Sequence, residues 1–124
     1  MDIQIITGGV AVLFIVMALV AFVAPGSVVA YFGTTELSLD GRNEVRAVYG
    51  GFGVAIAALV AVSPYWPRFG PGILLTVAGA LFGMAFGRAV SRVIDGSAGF
   101  YPWLFFAIEI VGGTVLVGAL MTLP

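Results

Sequence analysis

Four apolar stretches, each about 20 residues long and broken by short polar or proline-rich turns, constrain this chain more than anything else in it. In 124 residues, 61% are hydrophobic and 9% charged, whereas a soluble domain carries about 25% charged residues. A chain this short has too little interior to hide so much apolar surface from water. A bilayer removes the conflict, because each stretch can satisfy its own backbone as a helix and cross about 30 Å of hydrocarbon at about 1.5 Å per residue. The expected fold is an all-α membrane protein, a four-transmembrane-helix bundle forming a single domain over residues 1–124. Its spans fall at about 3–24, 43–63, 71–94 and 101–121. Pro25-Gly26 stops the first span, Pro71 suits the first turn of the third, and Asp95-Gly96 closes it. Tyr101-Pro102-Trp103 opens the fourth.

Could the first span be a cleaved leader? Asp2 with no basic neighbour, and an apolar run longer than a leader's core, argue against it. Four spans put both termini and the 64–70 loop on one side, with loops 25–42 and 95–102 on the other. Arg42, Arg46, Arg88 and Arg92 lie near the second side and Arg68 alone near the first. The positive-inside rule then predicts both termini outside. Tyr65 and Trp66 at one face, and Tyr101 and Trp103 at the other, suit aromatic interface belts. The long first loop opens apolar, fit for a short interfacial segment, and Asp40-Gly41 reads as a turn before the second span.

The residue types that are missing exclude whole classes of chemistry. There is no Cys, His or Lys, so disulfides, thiolate catalysis, Cys/His metal sites and Schiff bases fall away. No metal and no cofactor is expected. A net charge of −1 without a basic run excludes nucleic acid as a partner. All five cations are arginines, whose charge does not titrate in any ordinary range. Six carboxylates are left for acid–base work, at no spacing that matches a catalytic motif, so the chain is not expected to be an enzyme.

The stretch GRAVSRVIDG (87–96) concentrates what polar chemistry there is. Arg88, Ser91, Arg92 and Asp95 stand at i, i+3, i+4 and i+7, one face of a helix. Arg88 lies seven residues inside Asp95, about 10 Å deep. Glu109 lies six residues inside Trp103, about 9 Å deep from the same side. Glu44, Arg46 and Tyr49 enter on the second span from that side too. This predicts a cluster of Glu44, Arg46, Tyr49, Arg88, Ser91, Asp95 and Glu109 between the second, third and fourth helices, as a ligand site or a buried ion pair. Arg42, Arg68 and Arg92 read instead as interfacial anchors. Gly50, Gly53, Gly112 and Gly113, with the stripe Gly79, Gly83 and Gly87, read as helix-packing positions.

NEVRAVYGG (43–51), GRAVSRVIDG (87–96) and a Glu in the last span together resemble the DUF4345 family of small bacterial four-helix membrane proteins. The resemblance covers nearly the whole chain. It implies a four-span protein of a bacterial inner membrane with no established activity. Its signature positions here are Glu44, Arg46, Tyr49, Gly50, Arg88, Ser91, Asp95, Gly96 and Glu109. The function expected is an accessory, scaffold or lipid- and amphiphile-binding subunit acting through the Arg/Glu cluster. Its partners would be membrane lipids and a membrane protein or further copies of the chain. An oligomeric small-solute or ion transporter is the alternative.

Overall fold

The computed structural model describes residues 2–123, which are almost wholly helical and contain no strand. Helix α1 (Ile3–Val23) starts where the Asp2 carboxylate accepts from the Gln4 N–H at 3.1 Å, a cap worth about 1 kcal/mol. Pro25 begins a separate short helix, α2 (Pro25–Ala30), in the apolar front of the first loop. The second span is one continuous rod over Leu39–Tyr65. It consists of α3 (Leu39–Val45), a π-helical stretch over Arg46–Gly51, α4 (Phe52–Val62) and a closing 3₁₀ turn, Ser63–Tyr65. Helix α5 (Gly70–Asp95) ends at Gly96, whose φ of +74° favours glycine. Helix α6 (Phe100–Met121) follows.

Four of these rods are long and apolar enough to cross a bilayer. The protein is an all-helical, multi-pass membrane protein. Its second rod begins before the expected Asn43, and Asp40-Gly41 is helix rather than turn. The Ser38 hydroxyl accepts from the Gly41 N–H at 3.0 Å, and Asp40 lies in the first turn, where a carboxylate complements the helix dipole. That cap outweighs the turn preference of an Asp-Gly pair.

The rods associate as two hairpins. α1 packs along the second span and α5 along α6, while the two pairs touch each other more lightly through α4–α5 and α1–α6. Val10, Val60, Leu74, Val77, Leu81 and Leu116 form the centre where the pairs meet. Lipid is as apolar as leucine, so close packing rather than water exclusion holds such helices together. Within each hairpin, glycines permit it. Gly53 faces the Ala18 methyl and the Phe14 carbonyl, Gly50 the Phe22 ring, and Gly112 and Gly113 the Leu81 and Phe82 side chains.

The stripe Gly79, Gly83 and Gly87 behaves otherwise. Beyond the helix's own backbone, no atom of the described residues stands within 4 Å of where a Cβ on any of them would be. The buried side of α5 is Leu74, Val77, Ala78, Leu81 and Ala85, and the three glycines fall on the opposite side of the same helix. The expectation that they pack the bundle is therefore corrected: they open outward, because leucine and alanine already occupy the inward face. Gly83→Ala is accordingly expected to keep or raise stability by up to about 1 kcal/mol, the ordinary helix gain of alanine over glycine. Thermal unfolding in detergent measures it, and a clear loss would mean that this face is covered.

Candidate functional site

Gly112 and Gly113 bring α6 against Leu81 and Phe82 of α5, and a helical turn away this closeness lets two long polar side chains meet. Glu109 of α6 is 6% exposed. Arg88 of α5 reaches it with a fork: Nε donates to Oε1 at 3.0 Å and to Oε2 at 2.9 Å, and Nη2 donates to Oε1 at 2.8 Å. This bidentate form is the strongest that a carboxylate and a guanidinium adopt. Among the described residues it is the only ion pair, and no buried side-chain nitrogen or oxygen lacks a partner.

The guanidinium is also flanked by rings. Its Cζ lies 5.4 Å from the centroid of Phe105 and 6.0 Å from that of Phe32, within reach of a cation–π attraction. Phe105 sits one turn before Glu109 on α6. Phe32 comes from the loop after α2, which folds over the end of α6. There Phe32 meets Phe105 at 5.7 Å, and Tyr31 meets Tyr101 at 4.8 Å. Arg88 still leaves 26% of its side chain exposed. Of five guanidinium N–H bonds, those on Nε and one on Nη2 serve Glu109. The remaining three take no partner among the described residues.

The other predicted members of the cluster are elsewhere. The second span contributes none of them to Arg88 or Glu109, which corrects the expected three-helix cluster. Arg46 Nε donates instead to the Phe22 carbonyl at 3.1 Å. That oxygen is one of the last four of α1, which have no intrahelical donor, so a cation there also suits the helix dipole. Tyr49 is half-buried against Ala21, Val28 and Val45. Glu44 is exposed and outside any ion pair. Ser91 donates to Asp95 Oδ2 at a long 3.4 Å on the exposed end of α5, and Asp95 pairs with no arginine. The reason is the hairpin arrangement: the second span faces α1, and the π-helical stretch turns Arg46 toward the end of that helix. Arg42, Arg68 and Arg92 are exposed, with Arg68 resting over the Phe69 ring at 5.4 Å.

The light contact between hairpins leaves two apolar grooves. One, of about 610 Å³, runs between α1 and α6 past Ile5, Gly9, Leu13, Ile108, Gly112 and Val115. The other, of about 360 Å³, lies between the second span and α5 beside Ile56, Leu59, Ile73 and Thr76. The top of the first is level with Glu109, which follows Ile108 directly. Phe32 and Phe105 were absent from the sequence-based site. Aromatic residues near a span end ordinarily read as interface belts, and only the loop's return across α6 brings them to Arg88.

No curated protein and no solved structure matches the chain significantly. One family does, described as "Domain of unknown function (DUF4345)", over residues 3–120. That match runs through all four spans and includes Arg46, Arg88 and Glu109, and on it the chain belongs to the DUF4345 family.

Proposed function

We propose that this protein is a non-catalytic accessory subunit that holds a membrane amphiphile at Arg88. One observation carries the reading: the guanidinium stands within reach of two aromatic rings with three of its N–H bonds free; an apolar groove on the same helix as Glu109 reaches the level of that carboxylate. A structural ion pair needs only the Glu109 side of that fork. The charged end of the bundle is the cytoplasmic one and both termini are outside, with the protein in a bacterial inner membrane and lipids or a membrane enzyme as its partners. Transport through a single copy is disfavoured, since Val60, Leu74 and Leu116 are fully buried and fill the middle of the bundle. An intramembrane pathway is ordinarily lined by polar groups.

Native mass spectrometry from mild detergent tests the reading, with wild type beside Arg88→Lys. Lysine keeps the charge opposite Glu109 but loses the planar fork and its outward donors. The expected result is a discrete bound mass on the wild type that falls at least tenfold in the variant. A bare wild type, or equal occupancy in both, would overturn the proposal.

A further inference from the structure

The charge balance at Arg88 narrows the kind of amphiphile held there, an assignment that rests on the proposed amphiphile-binding function. Glu109 engages the guanidinium through both carboxylate oxygens and neutralises it where water is scarce. A second anion there would meet the buried carboxylate's field and compete with it for the same cation. A neutral acceptor meets no such opposition, and a carbonyl oxygen can take the free N–H bonds without disturbing the pair. Around those donors stand ring faces rather than further charges. Tyr31, Phe32 and Tyr101 are each between 40% and 49% exposed and touch one another or Phe105.

A path for a tail lies along the face of α6 that carries Tyr101. Tyr101, Ile108, Gly112 and Val115 recur at spacings of seven, four and three residues, one face of α6. Tyr101 meets the Tyr31 ring at a tilt of 58°, and the other three line the groove against α1. From Leu13 to Ile5 the groove wall runs about 12 Å by helix rise, away from the charged end of the bundle. Along it, Gly9 has no side-chain neighbour within 4 Å of a Cβ position, so the groove is open there.

We infer that the ligand is an uncharged amphiphile with a carbonyl-bearing ring, of the quinone class, whose carbonyl accepts from Arg88 and whose tail lies between α1 and α6. Ring stacking on the exposed aromatic faces distinguishes it from a ringless neutral lipid, and the neutralised arginine from an anionic one.

The test uses the full chain in detergent, with native mass spectrometry reading the retention of three added probes: ubiquinone-2, dioleoylglycerol and phosphatidylglycerol. The variants are Gly9→Leu and, independently, Val111→Phe, each of which fills the groove from an exposed position and makes no polar contact with the Arg88–Glu109 pair. Thermal unfolding accompanies each, to identify a variant that fails to fold, and the other variant then decides. The expected outcome is stoichiometric retention of ubiquinone-2 by the wild type, at least tenfold over the other two probes. Both folded variants should lose at least tenfold of it. Preference for phosphatidylglycerol or dioleoylglycerol would overturn the quinone assignment while the amphiphile reading stands. Undiminished quinone retention by the filled-groove variants would overturn the tail path. Retention of none of the probes, with no native bound mass, would overturn this inference and the proposed function together.

Discussion

Glu109→Gln is expected to lower the stability of the bundle by about 3 kcal/mol, and Arg88→Leu by a similar amount, while the double variant Arg88→Leu with Glu109→Leu is expected to recover most of the loss. The cause is an asymmetry between removing a pair and orphaning half of it. With glutamine at 109 an amide oxygen can still accept, but the guanidinium remains about 10 Å inside the span with no counter-charge beside its two aromatic faces. With Arg88 gone, a carboxylate that is 6% exposed has lost all three of its hydrogen bonds. Breaking a buried pair costs about 3–5 kcal/mol, and the partial exposure of Arg88 places this one at the low end. Replacing both partners by leucine removes the desolvation cost together with the attraction. Reversible unfolding in mixed micelles, analysed as a double-mutant cycle, measures the coupling. Additive losses without recovery would mean that the two residues stabilise the bundle through separate contacts.

The second large effect is at a residue with no polar chemistry. Gly70→Ala is expected to destabilise by about 3 kcal/mol or to prevent the tight turn between the second and third spans from closing. A Cβ on Gly70 would collide with the Ser63 carbonyl oxygen, and both partners are main chain or fixed to it, so neither can swing aside. Gly70 is buried, and its N–H already donates to the Trp66 carbonyl at 2.7 Å. Gly72→Ala, two residues on, meets nothing within 4 Å and serves as the control. A Tm for Gly70→Ala within a degree or two of that control would show that the turn opens without cost.

These two cases mark where the sequence was readable. The similar depth of Arg88 and Glu109 came from counting residues inward from one face, because helix rise converts position directly into depth; that they pair with each other alone came from the structure. Two opposite charges at equal depth in hydrocarbon have few other ways to be satisfied. The role of Gly70 has no such signal: residues 63–72, SPYWPRFGPG, hold three prolines and a second glycine around it, and nothing local singles it out. Its necessity depends on the carbonyl of a residue seven positions earlier, on the other side of the turn. Arg46 shows the same limit from another side. Its position at the mouth of the second span was legible, but its partner is a main-chain oxygen of α1, and no side-chain pattern advertises a carbonyl.

What the sequence by itself determined is the set of four spans, the gathering of charge at one end and the similar depth of Arg88 and Glu109 on neighbouring spans. Hydrophobic length, breaker residues and helical periodicity are local properties, and each can be read without knowing any neighbour. The tertiary structure alone decided which helices are adjacent. It separated Arg46 and Tyr49 from Arg88, turned the face of Gly79, Gly83 and Gly87 outward, and laid Phe32 beside the guanidinium. The physical reason is that in lipid no difference in hydrophobicity selects one partner helix over another. The choice falls to steric fit, Gly53 on Ala18 and Gly113 on Phe82, which exists only once the helices are in contact.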